Sequence, residues 1–198
     1  MNILHLISSP RRDASFSIKL GNEIVERLQT KYPGSTVVTH NLTETHFPHL
    51  EEALLTSFMT PPEQRTAELA EAVKHSDEAI DELMRADLIV IGVPMYNFGI
   101  HSGLKSWLDH VMRSGKTFSY SAAGPEGLVK NKKVYLAVAT GGVYTEGPMQ
   151  SYDFTVPYLQ KALGFIGLTD VAVYRVEGTA VPVVQDTAWD RAVAQLSI

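Results

Sequence analysis

The chain of 198 residues contains no cysteine. This absence excludes disulfide bonds, thiolate zinc sites, iron–sulfur ligation and a cysteine nucleophile, and it favours an intracellular protein. No apolar run approaches the ~20 residues that span a bilayer. The first apolar run, Ile3 to Ile7, precedes the basic pair Arg11 and Arg12, whereas an export signal carries its basic residues first. We therefore expect a cytoplasmic protein with no membrane-spanning segment.

Charge of one sign is not concentrated anywhere in the chain. The formal net charge is −5, with acidic and basic residues scattered. Because there is no basic stripe and no arginine-rich arm, we expect no binding to nucleic acid. The G-x-G-x-x-G pattern of dinucleotide-binding folds and the G-x-x-x-x-G-K-[ST] pattern of P-loop NTPases are both missing. The composition, 44% hydrophobic and 20% charged, is typical of a globular protein, and the length fits a single domain over residues 1–198.

Short apolar runs alternate with amphipathic stretches along the chain. The run from Leu88 to Ile91 is β-branched and apolar on both faces, as expected of a central parallel strand covered by helices on each side. Strands are predicted at 1–7, 35–42, 88–91, 133–138 and 171–176, and helices at 16–31, 50–59, 61–85, 103–112, 157–164 and 187–198. This alternation predicts an α/β fold: a flavodoxin-like doubly wound five-stranded parallel sheet, strand order 2-1-3-4-5, with helices on both faces.

Several local features carry predictions of their own. Thr60 to Glu63 forms a capping box with proline at the first helical position, which predicts that a helix begins there. Ser102 is the expected N-cap of the following amphipathic helix. Residues 114–130 are predicted to be a loop that contains a turn at 124–127. His110 is expected at the surface or at an interface.

Three loops follow predicted strands at one edge of the sheet, where α/β proteins bind ligands. Ser8 to Ser17 joins a strand to a helix N-terminus, which suits an anion because free N–H groups face it, and a phosphomonoester suits it better than a pyrophosphate. Pro94 to Phe98 is apolar and aromatic with one amide, as a planar ligand would need. Thr140 to Tyr144 contains paired glycines that let a backbone approach a ligand closely.

Each loop also has a simpler interpretation. Ser15 would then do no more than cap its helix. Pro94 to Phe98 would pack beneath the next helix, and the paired glycines would form an ordinary turn. The convergence of all three at one edge favours a slot with a phosphate corner, an aromatic wall and a dipolar wall. Such a slot fits flavin mononucleotide (FMN). His46 and His49 lie three residues apart with no further partner in sequence, so no metal site is expected.

At these loops the sequence resembles the FMN-dependent NADH:azoreductase and NAD(P)H:quinone oxidoreductase family, essentially from end to end. The segments that carry the resemblance are 8–10, 15–17, 94–98, 105, 115–118, 124–128, 141–144 and 163–167. The combination of P-M-Y-N-F with G-P-E-G-L is the most specific of them. One difference is His101, where relatives tend to carry proline, and this could alter acceptor preference or change nothing.

The resemblance implies roles for particular residues. The implied FMN-binding residues are Ser9, Ser15, Phe16 and Ser17 at the phosphate, Met95, Tyr96, Asn97 and Phe98 along the isoalloxazine, and Thr140, Gly141, Gly142 and Val143 at its pyrimidine side. The family is homodimeric with active sites at the subunit interface. There Tyr120 and Phe165 would form a matching aromatic wall of the substrate pocket.

The implied chemistry belongs to the cofactor, so no catalytic side chain is expected. Hydride would pass from NADH or NADPH to the flavin and then to a quinone or azo compound on the same face, which predicts ping-pong kinetics. A flavodoxin-like electron carrier without nicotinamide-dependent activity is the main alternative. A serine hydrolase that uses Ser8 or Ser9 is a third possibility, but the G-x-S-x-G elbow is missing.

Overall fold

A computed structural model of the protein describes residues 1–45 and 47–198. The strands are β1 (Asn2–Ile7), β2 (Thr36–Asn41), β3 (Leu88–Pro94), β4 (Phe118–Ser121), β5 (Gly124–Gly127), β6 (Lys133–Ala139) and β7 (Asp170–Val176). The α-helices are α1 (Phe16–Lys31), α2 (Glu52–Met59), α3 (Ala67–Arg85), α4 (Ser102–Val111), α5 (Val156–Phe165) and α6 (Gln185–Ala194). Strands and helices alternate, as the apolar pattern predicts.

Five strands form one parallel sheet in the order β2-β1-β3-β6-β7. The predicted order 2-1-3-4-5 is confirmed, because β4 and β5 form a separate antiparallel hairpin outside this sheet. All seven residues of the central strand β3 are buried. The continuous apolar run from Leu88 to Ile91 therefore correctly predicted a central strand, because a strand that is covered on both faces is apolar on both.

The two faces of the sheet have separate hydrophobic cores. Leu4 and Leu6 of β1 belong to the core that includes residues of α3, α4 and α5, whereas Ile3 belongs to the core beneath α1 and α6. Neighbouring residues of a strand point to opposite faces, so this division follows directly from the pleat. In the described residues, no helix is long and apolar enough to cross a membrane.

The helix predicted to begin at Thr60 begins at Ala67 instead. Thr60 ends α2, and its hydroxyl donates to the carbonyl of Thr56 at 2.8 Å. Pro61 is extended, with ψ of 143°, because a residue that precedes proline is disfavoured in the helical region. A short 3-10 turn follows, and the Oγ of Thr66 then accepts the N–H of Leu69 at 3.3 Å as the N-cap of α3.

The helix that follows β3 is capped by His101, not by Ser102. The Nδ1 atom of His101 accepts the N–H of Gly103 at 3.0 Å, and Ser102 is already the first helical residue. The prediction for His110 was also wrong: its side chain is buried, and Nε2 donates to the carbonyl of Pro48 at 2.9 Å. Burial lowers the pKa of His110, which favours the neutral ring that this environment requires.

The region predicted as a loop at 114–130 contains the β4–β5 hairpin. The expected turn at 124–127 is the strand β5, and the chain reverses just before it, at Ala122 and Ala123. The C-terminal helix is likewise shorter than predicted and ends at Ala194.

We expect the Gly127→Ala substitution to displace this hairpin. A Cβ atom at residue 127 would lie 2.2 Å from the backbone nitrogen of Gly167 and 2.4 Å from the carbonyl carbon of Ile166. Because backbone atoms cannot move aside as a flexible side chain can, the free energy of unfolding should fall by about 2–3 kcal/mol. Urea denaturation would measure the loss. Gly164→Ala is the matched control because nothing lies within 4 Å of a Cβ there, and equal losses for both would contradict the prediction.

Candidate functional site

The parallel register brings the ends of β1, β3 and β6 to one edge of the sheet. Ile7 pairs with Gly92, and Pro94 pairs with Ala139. The three loops predicted to converge therefore do so, and a fourth, after β7, joins them. They surround a slot of about 310 Å³, within the usual range of ligand pockets. Its lining residues are Arg11, Ser15, Phe16, Pro94, Met95, Tyr96, Ala139, Thr140, Gly141, Thr179 and Ala180.

The serine loop places hydroxyl groups and free N–H groups at the start of α1. Ser15 is the N-cap, with its Oγ 3.4 Å from the N–H of Ile18, and the same Oγ lies 3.0 Å from the hydroxyl of Ser17. Both serines are buried. The N–H groups of the first turn have no acceptor within the helix, so they remain available to an anion. Ser15 thus caps α1 and also lines the slot, so the two interpretations of this serine are compatible.

The hydroxyl of Ser9 links the serine loop to the aromatic loop. Its Oγ accepts the N–H of Arg11 at 3.4 Å and lies 3.2 Å from the hydroxyl oxygen of Tyr96. Ser9 is buried, and Tyr96 is half-buried in the slot wall. This contact fixes the tyrosine ring beside the serine loop.

The aromatic loop is a tight turn with a strained backbone. Tyr96 and Gly99 exchange two backbone hydrogen bonds of 3.0 Å, and Asn97 and Phe98 between them have φ values of 48° and 68°. Two consecutive left-handed residues define a type I′ turn, which normally favours glycine. Such strain costs about 1–3 kcal/mol per residue and is concentrated at binding and catalytic sites. Phe98 remains 42% exposed, so the loop does not pack beneath the next helix.

The glycine loop is held from one side by the loop after β7. The carbonyls of Thr140, Gly141 and Gly142 accept the N–H groups of Thr179, Ala180 and Gly178 at 3.2, 2.9 and 3.0 Å. In a trans peptide the N–H points opposite to the carbonyl. The N–H groups of residues 141–143 therefore point away from the β7 loop. This orientation is the one that the predicted dipolar wall requires, because it leaves these N–H groups free of the β7 loop.

Not every predicted residue lies in the lining of this slot. The lining includes six of them: Ser15, Phe16, Met95, Tyr96, Thr140 and Gly141. Ser17, Asn97 and Gly142 adjoin lining residues in the chain, and Ser9 contacts Tyr96. Phe98 lies one residue farther along the chain, and Val143 lines the neighbouring cavity instead. Tyr120 and Phe165 lie elsewhere: both pack edge to face against Phe118, with ring centroids 5.7 and 4.8 Å from it. Within one subunit these two aromatics do not complete the slot, and their role stays a prediction.

Two parts of the slot were not predicted. Thr179 and Ala180 follow β7, and the rule that ligands bind beyond the ends of parallel strands would have found them had it been applied to the fifth strand. Arg11, which belongs to the serine loop, lies in the lining as well and adds a positive charge there.

His101 stands between the slot and a second cavity. Its ring lies 6.2 Å from that of Tyr96, edge to face, and burial lowers its pKa. The second cavity, of about 470 Å³, is lined by His101 together with Pro10, Phe47, His49 and Ser106 among others. Because the ring of His101 contacts that of Tyr96, a change at residue 101 is expected to affect what binds in the slot.

The structure does not support the serine hydrolase hypothesis. The hydroxyl of Ser8 donates to the carbonyl of Gly92 at 2.7 Å, and that of Ser9 contacts Tyr96, so in the described residues neither serine is paired with a histidine. The described residues also contain no cluster of three His, Asp or Glu side chains that could hold a metal ion. The pair considered for metal binding includes His46, which lies outside the described residues.

The five-stranded order and the four loops at its carboxyl edge define a flavodoxin-like α/β protein. The chain belongs to the Flavodoxin_2 family, described as having a flavodoxin-like fold, whose model matches residues 1–197. It is 47% identical over 179 residues to an FMN-dependent NADH:quinone oxidoreductase of Agrobacterium fabrum, covering 90% of this chain and 87% of that one. A protein of the same name from Herminiimonas arsenicoxydans is 48% identical over 178 residues, with the same coverage.

Solved structures agree with this assignment. An azoreductase from Bacillus anthracis superposes with a TM-score of 0.92 at 28% identity, covering 98% of this chain and 96% of that one. An FMN-dependent NADH-azoreductase from Bacillus anthracis, crystallised in complex with FMN, superposes with a TM-score of 0.86 at 25% identity, covering 98% and 97%. The resemblance seen in the sequence motifs is thereby confirmed.

Proposed function

We propose that the protein is an FMN-dependent NADH:quinone oxidoreductase that also reduces azo compounds. The observation that carries the proposal is the slot itself, in which an anion site, a strained aromatic turn and a dipolar glycine loop surround one cavity. Relatives at 47% and 48% identity bear this activity in their names, and a structural neighbour holds FMN. The whole chain, 1–198, would act as a single FMN-binding domain.

The residues present fit FMN. The hydroxyls of Ser15 and Ser17 and the first turn of α1 offer donors to one phosphate group. The turn at Tyr96 to Phe98 offers a flat apolar wall, and the N–H groups of Gly141 and Gly142 offer donors to a polar ring edge. FMN, when bound, supplies the hydride-accepting and hydride-donating ring.

The protein's part in the reaction is binding and electrostatics. The peptide groups of the glycine loop are fixed by hydrogen bonds to the β7 loop, so their N–H groups would stabilise negative charge on the pyrimidine side of bound FMN without reorganising. Overall, NADH, a proton and a quinone become NAD⁺ and a hydroquinone, and donor and acceptor would use the same face in turn.

We further propose that the protein is a homodimer whose interface includes an exposed aromatic patch, consisting of Phe98, Tyr152, Phe154 and Tyr158. Phe98 and Tyr152 have ring centroids 5.4 Å apart, and Phe154 is 61% exposed. Exposed aromatic groups beside a ligand slot are typical of an interface. A second subunit placed there could bring its Tyr120 and Phe165 over the slot, as the resemblance implies.

Light scattering tests the interface. Phe154→Glu should convert a dimer into a monomer, because a carboxylate would be buried without a partner. Val183→Glu is the matched control, since Val183 is 91% exposed and lies outside the patch. A monomeric wild type, or a dimer that tolerates the Phe154 change, would refute the interface.

Steady-state kinetics and identification of the bound cofactor test the function. The purified protein should release FMN on denaturation and should reduce a quinone with NADH in a parallel-line, ping-pong pattern. Release of FAD would count against the slot, which offers donors for one phosphate group only. The cytoplasmic location expected from the sequence stays a prediction.

We expect Tyr96→Phe to weaken FMN binding without abolishing turnover. The substitution keeps the aromatic ring and removes only the hydroxyl that lies 3.2 Å from Ser9, a loss of about 1 kcal/mol or roughly fivefold in Kd. Fluorescence titration with FMN measures the change. Tyr32→Phe, at the far end of α1, is the control, and an unchanged Kd for Tyr96→Phe would show that the contact with Ser9 does not support the site.

A further inference from the structure

Arg175, near the end of β7, joins two carboxylates that belong to different loops. Its Nη2 atom donates to Oδ2 of Asp153 at 2.6 Å, and its Nη1 atom lies 3.6 Å from Oε1 of Glu177. The second distance is that of an ion pair without a hydrogen bond. The three side chains are only 15%, 6% and 13% exposed. We call these three residues the arginine bridge.

The Asp153 arm of the bridge reaches the aromatic turn. Oδ1 of Asp153 accepts the N–H groups of Thr155 and Val156 at 2.9 and 3.1 Å and so fixes the start of α5. From there the N–H of Phe154 donates to the carbonyl of Phe98 at 3.2 Å, and the hydroxyl of Thr155 to the same carbonyl at 3.4 Å. This carbonyl belongs to the second left-handed residue of the strained turn. Asp153 therefore positions Phe154 and Thr155, and these two residues hold the aromatic turn in place from outside it.

The Glu177 arm reaches the glycine loop. Oε1 of Glu177 accepts the N–H of Tyr144 at 2.9 Å, and Oε2 accepts the hydroxyl of Thr145 at 2.6 Å. The next residue, Gly178, donates its N–H to the carbonyl of Gly142 at 3.0 Å. Glu177 thus fixes the residues that follow the dipolar wall directly.

We propose that Arg175 is a positioning residue that sets the separation between the aromatic turn and the glycine loop, and thereby the affinity and reduction potential of bound FMN. The inference rests on the proposed FMN function. Buried ion pairs add little to stability, because desolvation of the charges offsets their attraction. Their benefit here is geometric: one planar guanidinium hydrogen-bonds Asp153 through Nη2 and holds Nη1 3.6 Å from the carboxylate of Glu177, whereas a single ammonium group has no such pair of separated nitrogens.

The test compares Arg175→Met and Arg175→Lys with Arg191→Met. Arg191 lines the same neighbouring cavity of about 420 Å³ as Arg175 but is exposed and joins neither wall. FMN Kd is measured by fluorescence well below the melting temperature of each variant, and the midpoint potential of the bound flavin by redox titration. We expect at least a tenfold increase in Kd and a more negative potential for Arg175→Met, smaller changes in the same direction for Arg175→Lys, and wild-type values for Arg191→Met.

A lower melting temperature with unchanged Kd and potential would show that the bridge is merely structural, and would overturn the proposal. If Arg175→Met does not fold, the lysine variant decides, because it retains the positive charge and changes only the geometry. A wild-type protein that binds no FMN would refute the proposed function itself, which separates that failure from failure of the bridge.

Discussion

Ser15→Asp should abolish high-affinity FMN binding while leaving the apoprotein as stable as the wild type. Aspartate is as good an N-cap as serine, so the contact with the N–H of Ile18 is kept. The new carboxylate, however, would lie where the phosphate has to bind. Two such charges 4 Å apart repel by about 4 kcal/mol at an effective dielectric constant of 20. We therefore expect Kd for FMN to rise at least 100-fold, on the order of 3 kcal/mol.

Two controls make this result specific. Riboflavin, which has no phosphate, should bind the Ser15→Asp variant and the wild type with Kd values within about threefold of each other. Ser15→Ala removes one donor and the cap, so it should weaken FMN binding by about tenfold and stability by about 1 kcal/mol. If the aspartate variant bound FMN as tightly as the wild type, the phosphate would have to lie outside the serine loop.

Acidification should destabilise the protein through His5, by about 3 kcal/mol between pH 6.5 and pH 4. His5 lies on β1, is 3% exposed, and packs so closely against α1 that a Cβ at Gly21 would lie 2.8 Å from its Nε2. Burial lowers its pKa from 6.5 to about 4. Within this window the unfolded chain binds a proton that the folded chain does not. Stability is therefore fully present above pH 6.5 and is lost as the pH falls toward 4.

His5→Leu isolates this contribution, because leucine fills a similar volume and cannot titrate. Urea denaturation at pH 7, 6, 5 and 4 measures the free energy of unfolding of both proteins. Between pH 7 and pH 4, the wild type should lose about 3 kcal/mol more than the variant does. Equal losses for the two proteins would mean that His5 is hydrated or partnered in solution, whereas its Nε2 atom has no hydrogen-bond partner among residues 1–45 and 47–198.

The sheet could be predicted because each of its strands has a distinct pattern. A run such as Leu88 to Ile91 is buried on both faces wherever it occurs in an α/β protein, and strand-end loops then converge by topology alone. The errors arose where several local signals competed. At Thr60 a capping box is present, but two consecutive prolines extend the backbone; at Ser102 a better-placed neighbour, His101, caps the helix instead.

The three loops of the candidate site could be predicted from the sequence, but the contacts that hold them in place could not. The serine, aromatic and glycine loops could be predicted because their residue types and their positions after strands are visible in the sequence. The left-handed conformations of Asn97 and Phe98 could not be, because neither residue demands that conformation and distant contacts hold it. The arginine bridge joins residues 153, 175 and 177. No spacing rule connects Asp153 with Arg175, since their contact exists only once α5 and β7 are packed.

Anaerobic addition of NADH to the FMN-loaded protein tests the proposed activity most directly. We expect about one equivalent of NADH to remove the visible absorbance of the flavin within seconds to minutes, and a quinone added afterwards to restore it, since the protein would bind donor and acceptor in turn. A protein that binds FMN but keeps its visible absorbance in the presence of NADH would be an electron carrier without nicotinamide-dependent activity, and would contradict the oxidoreductase function.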